Sequence, residues 1–210
     1  MVAIVTPSHP APPDAQPVWD IARLFPPQGH WDEDEYLSLD TNHLVEFTDG
    51  YVEVLPMPKM SHQLIVKYLV GQLETFADSS KGGTVLFAPF RVRIRSGKFR
   101  EPDVCFMLAG HADRMKDEYW EGADLVMEVV SDDAESRLRN HEKKRLDYAE
   151  ARIGEYWVID PTEQRISQFI LAGQAYAEPV HFGRGHRMSS VIAQGFEVEV
   201  DKVLGAVTPK

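Results

Sequence analysis

The pattern of apolar and polar positions changes period several times along the chain. "HLVEFTDGYVEVLP" (43–56) is two alternating runs around Asp49-Gly50, a dipeptide that favours the positive-φ turn of a tight β-hairpin. From Ser61 to about Ala77, Leu64, Ile65, Tyr68, Leu69, Leu73 and Phe76 recur at helical spacing, which predicts an amphipathic helix with Ser61 as its cap. Strand-like runs follow in "TVLFAPFRVRI" (84–94), "PDVCFML" (102–108) and "GADLVMEVVSDD" (122–133). A second helical pattern extends from about Ser136 to Ala151 and stops at Gly154. "EYWVIDP" (155–161), "RISQFIL", "QAYAEPV" and "FEVEV" read as further strands.

Ahead of the hairpin, "WDEDEYLSL" (31–39) predicts a short acidic helix. Seven of the fourteen prolines fall in the first 27 residues, where no period is visible. Residues 1–30 are therefore expected to form a Pro-rich N-terminal tail or arm, and 31–210 a single domain. The order of hairpin, helix, strands, helix, strands implies a mixed α/β (α+β) fold with a mixed sheet flanked by helices, rather than a regular doubly wound one.

Composition narrows the function. A formal charge of −11 counts against non-specific binding of nucleic acid, whose affinity comes from neutralised phosphates, so any such site must be local. Cys105 is the single cysteine, which excludes an intrachain disulfide and a thiolate cluster within one chain. No apolar run approaches the roughly 20 residues that span a bilayer, and no signal segment opens the chain, so a cytoplasmic protein with no membrane partner is expected.

Alternation along "GADLVMEVVSDD" places Val126, Glu128 and Val130 on one face and Leu125, Met127 and Val129 on the other. Both faces are apolar except at Glu128. Such a carboxylate must be protonated, paired with a cation or bound to a metal. The plainer alternative is a strand-end glutamate bonded to a neighbouring arginine. Asp103, after Pro102 at the start of an apolar strand, can lie beside Glu128, and two such carboxylates can hold magnesium.

A cation would complete the set by orienting water or steadying a phosphate. Two residues after Glu128, alternation offers only Val130. The helix "RLRNHEKKRLDYAEA" offers Asn140, Lys144 and Tyr148 on one face, flanked by Lys143 and Arg145. An ordinary charged helix surface would look the same. Within "RVRIRSGKFR" (91–100), Arg91, Arg93 and Arg95 share a strand face. That face is a phosphate patch or the solvated side of a half-buried strand. No phosphate-binding glycine loop, serine-hydrolase elbow or histidine zinc spacing is present, and His62 is expected to cap or pack.

Taken in order, "HLVEFTDGYVEVLPMPKMSHQLIVKYL", "EPDVCFM", "GADLVMEVVSDD" and "KKRLDYAEARIGEYWVIDP" resemble the Uma-two family of the restriction-endonuclease-like, PD-(D/E)xK superfamily. The likeness runs from about Glu35 to Asp160. It implies a restriction-endonuclease-like core with an N-terminal β-hairpin and extra C-terminal strands, and hydrolysis of nucleic-acid phosphodiesters with magnesium or a similar ion. By motif it implies that Asp103 and Glu128 are metal ligands, that Glu46 is an additional acid, and that Lys144 replaces the strand lysine. Asn140 stands where the family often has Asp, and Ser131-Asp132 where it has Ser-Pro. Asp160 is expected to be structural.

The expectation is thus a metal-dependent endonuclease, acting on DNA as its partner, with magnesium or manganese at Asp103, Glu128 and Glu46, catalysis by Asp103, Glu128 and Lys144, and nucleic-acid contacts from Arg91, Arg93 and Arg95. The rival is a catalytically silent binding or regulatory module on the same fold, open to homodimer formation, that uses the Arg91–Arg95 face to contact a partner.

Overall fold

The computed structural model describes residues 25–41, 43–79, 82–130 and 142–207. Most of the Pro-rich tail, the Ser131-Asp132 pair, Asn140 and the start of the second helical pattern lie outside them. The chain runs α1 (Glu33–Leu37), β1 (Val45–Thr48), β2 (Tyr51–Val54), α2 (Met60–Ser79), β3 (Gly83–Phe87), β4 (Arg91–Arg95), β5 (Lys98–Arg100) and β6 (Val104–Leu108). A short 3-10 segment (Ala109–Arg114) leads to β7 (Tyr119–Glu121) and β8 (Leu125–Val129). Then come α3 (Lys144–Glu150), β9 (Glu155–Asp160), β10 (Arg165–Ala172), β11 (Ala175–Tyr176), β12 (Val180–Gly183), β13 (Arg187–Ser189), β14 (Glu197–Glu199) and α4 (Val200–Gly205).

The hairpin forms as its turn predicts: Asp49 and Gly50 have φ of 47° and 88°, the primed geometry that matches strand twist. A Cβ at Gly50 would lie 2.8 Å from the carbonyl oxygen of Gly29. That close approach lets the Gly29 amide donate to Gly50 O (2.8 Å) while Gln28 exchanges two side-chain bonds with Val52. Gln28 and Gly29, at the end of the expected tail or arm, are thus hydrogen-bonded to the hairpin. Helix α1 opens on a capping box, with Asp32 and Glu35 each accepting from the other's backbone. Helix α2 begins at Met60, so Ser61 lies within its first turn instead of capping it.

The large sheet has the order β11-β10-β9-β8-β6-β3, with β12 also on β10; it is mixed, since β8 and β9 are parallel and the other pairs antiparallel. A second sheet, β2-β1-β5-β4-β7, packs beside it, and β13-β14 form a ribbon. The run 84–94 is thus two strands in two sheets, parted at Ala88-Pro89, because proline has no amide to donate to a continuing ladder.

Strand β8 is buried throughout because both faces are covered. Leu125, Met127 and Val129 join Ile65, Leu69 and Leu73 of α2 and Val203 and Leu204 of α4. Val126 and Val130 join Val92 and Ile94 of β4, Tyr148 of α3 and Tyr156 of β9. A third cluster, Tyr36, Val45, Phe47 and Phe99, seats α1 on the smaller sheet. Helix α4 starts at Val200, the last residue of the expected strand "FEVEV"; Val200, Val203 and Leu204 cover the α2 face of the core.

One buried carboxylate holds the C-terminal segment to this core. Glu155 is fully buried. It accepts hydrogen bonds from Trp157 Nε1 (2.6 Å), Gln168 Nε2 (2.6 Å), Ser190 Oγ (2.6 Å) and the amides of Val191 and Ile192 (2.9 Å each). Five donors satisfy the charge in place, and each loses its partner if the carboxylate goes. Glu155→Ala is therefore expected to destabilise the fold by about 3–5 kcal/mol, read as a lowered urea midpoint; a loss below about 1 kcal/mol would contradict this role.

Candidate active site

The register of the large sheet brings the two strand carboxylates together. Val104 of β6 pairs with Met127 of antiparallel β8. One residue outward from that pair, Asp103 lies across from Glu128. Period-two alternation sends both side chains to the face that also carries Cys105 and Val126. The contact is tied by the Val129 amide, which donates to Asp103 Oδ2 at 2.7 Å.

The same alternation explains Glu46. In β1, Val45 and Phe47 face α1, so Glu46 and Thr48 point the opposite way. In β5, Phe99 faces α1 while Lys98 and Arg100 point with Glu46 and Thr48 toward α3. Glu46 of β1, Glu128 of β8 and Asp103, just ahead of β6, are thereby brought to one region, all buried.

Helix α3 supplies the cation. The Lys144 amine lies 2.7 Å from Glu128 Oε1 and 3.1 Å from Glu46 Oε1, with only a few per cent of the side chain exposed. One turn on, Tyr148 donates to Glu128 Oε1 at 2.5 Å. The i, i+4 spacing places both groups on one oxygen of one carboxylate. The charged-surface alternative for Lys144 is thus corrected by its burial.

Arg100 and Lys98 then anchor the helix. Arg100 Nη2 meets Asp147 Oδ2 at 2.7 Å and Arg100 Nε approaches Glu46 Oε2 at 3.5 Å. Lys98 Nζ reaches Asp147 Oδ1 at 2.8 Å. Arg100 also donates to Thr48 Oγ1 and to the carbonyls of Phe47 and Phe99.

Burial pushes the Glu128 carboxyl above the usual carboxylate range; Lys144 pulls it back and the charge of Asp103 adds to the rise. Lys144 is held protonated: burial disfavours its charge, but Glu128 and Glu46 more than offset that. Glu101, next to the site, is pushed up to about 7 by burial, opposed by the Val45 amide that donates to it and reinforced by Glu46.

A further residue belongs to the site. His62, in the first turn of α2, places Nε2 3.0 Å from Asp103 Oδ2. Burial disfavours the imidazolium, yet the hydrogen bond and charge of Asp103 raise its pKa above the ordinary histidine value. Its Nδ1 is buried and, among the described residues, has no hydrogen-bond partner. The position of a histidine at a predicted helix start suggested capping, and only the fold shows that Asp103 lies beside it.

The three arginines of β4 are placed otherwise. They share one half-buried face, with Val92 and Ile94 buried on the other, but their guanidiniums are engaged within the chain. Arg91 donates to the carbonyls of Tyr36, Leu37 and Leu39. Arg93 pairs with Glu33 and Glu121, and Arg95 with Asp49 and Glu150. A phosphate would have to displace these partners, and the face lies on a different strand from Asp103 and Glu128. Asp160 accepts from the amides of Thr162 and Glu163, a turn-closing role.

The donor set suits a hard divalent cation. Asp103 and Glu128 offer carboxylate oxygens on adjacent strands, and magnesium is usually bound by one or two carboxylates together with waters and substrate phosphate. Among the described residues no group of three His, Cys, Asp or Glu side chains is arranged to hold a metal by itself. Glu46 is turned to Lys144 and Arg100. Lys144, an Arg100 shared with Asp147, and His62 already face the carboxylates of Asp103, Glu128 and Glu46.

The fold is similar to a solved one. The crystal structure described as "a putative nuclease belonging to DUF820" from Anabaena variabilis superposes with a TM-score of 0.68 at 18% identity, covering 83% of this chain and 98% of that one. No curated protein matches the chain. The family model Uma2, described as "Putative restriction endonuclease", matches residues 33–201. That span holds the hairpin, both strand carboxylates and the lysine helix, and the chain belongs to the Uma2 family.

Proposed function

We propose that the chain is a divalent-metal-dependent endonuclease that hydrolyses phosphodiester bonds of nucleic acid, with DNA as its substrate. One observation carries this reading: the lysine that β8 lacks at Val130 is supplied by α3, whose Lys144 amine reaches Glu128 and Glu46 beside Asp103. A carboxylate pair, an extra acid and a buried ammonium are the groups such a hydrolysis uses.

Asp103 and Glu128 would hold magnesium or manganese, with Glu46 assisting directly or through water. When bound, the ion lowers the pKa of a coordinated water and offsets charge on the phosphate. Lys144 stays protonated between its carboxylates and can turn to a phosphate oxygen or orient the water. Tyr148 and His62 fix the rotamers of Glu128 and Asp103 through the bonds described above. In the reaction the water oxygen bonds to phosphorus and the bond to the leaving sugar oxygen breaks. The water gives up a proton to solvent, and the leaving oxygen takes one up.

Cleavage of single-stranded and duplex DNA with magnesium or manganese is the direct test. Asp103→Ala and Lys144→Ala are each expected to lower the rate by roughly 100-fold or more, with circular dichroism confirming the fold. Equal rates for wild type and both variants would overturn the assignment.

A second reading has an observation of its own. Lys144 is held by Glu128 and Glu46, as expected of a catalytically silent module on this fold, although the internal partners of Arg91, Arg93 and Arg95 count against the partner-binding face such a module was expected to use. Manganese titration by calorimetry separates the two. The endonuclease reading expects one binding event that is lost in Glu128→Ala and reversed by chelation; no binding by the wild type would favour the silent module.

A further inference from the structure

A cavity of about 220 Å³ opens beside Val45 and Glu101. Its walls come from the segment before β1 (Thr41, His43), the turn before β4 (Pro89, Phe90), Glu101 ahead of β6, and the turn before β7 (Asp117, Glu118). The lining has two kinds of surface. Pro89 and the half-buried Phe90 form a flat apolar part, with Phe90 braced edge-on against Trp120 (centroids 5.4 Å). Glu101 forms a polar floor. One of its oxygens accepts the Val45 amide at 3.0 Å, which fixes the carboxylate against the cavity wall.

The chemistry selects the ligand. Arg91 also lines the cavity, but its guanidinium is committed to three backbone carbonyls. What remains is rich in acceptors, with the exposed Asp117 and Glu118 at the mouth. With three carboxylates, Glu101, Asp117 and Glu118, set against Arg91, such a site favours a flat, neutral ring that carries N–H donors. Among the nucleobases, guanine presents two adjacent donors, its ring N–H and its amino group, to a single carboxylate. An aromatic wall and a hydrogen-bonding edge are how proteins hold bases taken out of a stack.

The cavity also adjoins the candidate active site. The Glu101 amide lies 3.4 Å from Glu46 Oε1, and the Ala88 amide beside Pro89 donates to Asp103 O at 3.3 Å. Only Pro102 separates Glu101 from Asp103, and two residues of chain span at most about 7 Å. A strand with one phosphate at Asp103 can thus deliver its neighbouring base into the cavity.

We propose that this cavity holds an unstacked guanine base of the strand whose phosphate lies against Asp103 and Glu128. The proposal rests on the nuclease reading for its strand, but the pocket can be tested without cleavage. Guanosine is titrated into the whole chain at about pH 8, where Glu101 is ionised, in the presence of chelator and followed by ligand-observed NMR. Binding is expected, about tenfold weaker in Phe90→Ala and similarly weakened in Glu101→Gln. Inosine, which lacks the amino donor, and adenosine are each expected to bind more weakly than guanosine.

No guanosine binding, or binding unchanged in Phe90→Ala and Glu101→Gln, would overturn the pocket while leaving the nuclease assignment standing. Equal binding of adenosine would overturn the choice of guanine. Guanosine binding that follows these expectations in a protein that cleaves no DNA would keep the pocket and overturn the nuclease.

Discussion

The structure turns on a buried ammonium shared between two carboxylates. Lys144 reaches Glu128 in the large sheet and Glu46 in the smaller one, so one side chain joins both sheets to α3. Charges removed from water are tolerated only when their partners are in place. Removal of the amine would leave two buried acids facing each other next to Asp103, whereas removal of either acid leaves the other to hold the amine. That asymmetry makes the helix dependent on the strands and the strands on the helix. The supporting pairs follow the same line: Asp147 meets Lys98 and Arg100, and Tyr148 meets Glu128.

Such an arrangement gives the misfit in β8 two offsets of different kinds. A metal shared with Asp103 can balance Glu128, as its position in an apolar strand suggested, but Lys144 and Tyr148 already occupy one of its oxygens. The second oxygen and the Asp103 carboxylate are the part a cation can use. A site held together by its own lysine can keep its carboxylates converged before any ion arrives. In the proposed reaction Lys144 would exchange a partner to act on a phosphate.

Much of this was legible where the signal is local. The Asp49-Gly50 turn, the helical spacing of Ile65, Leu69 and Leu73, and the alternation around Glu128 each depend on residues a few positions apart. The adjacency of Asp103 and Glu128 followed from two neighbouring apolar strands. Long-range partners were less visible. The period-two face of Arg91, Arg93 and Arg95 was correct, yet its acids come from Glu33, Asp49, Glu121 and Glu150, far off in sequence. His62 and Glu155 carried no periodic mark, because their roles are set by Asp103 and by the 190–192 segment. The run 84–94 kept one strand-like pattern across Pro89 although its halves enter different sheets, since apolarity alone does not say which sheet a strand joins.

Val130 shows why β8 has no room for a lysine two residues after Glu128. It is buried with Val126, Tyr148 and Tyr156 in the core on the α3 side of the sheet, and its amide continues the ladder to Ile159 O at 2.9 Å. A lysine at that position would have to desolvate its stem and head inside an aromatic cluster, with Tyr148 in its path. Lys144 instead approaches the same carboxylate from the helix that forms that cluster, so the core stays apolar and the charge lies at its edge. Lysine placement then depends on how α3 is fastened, through Asp147 to β5 and through Tyr148 to β8. Geometry at the site is thus governed by the packing of a helix against two sheets, where a strand lysine would have been positioned by one backbone alone.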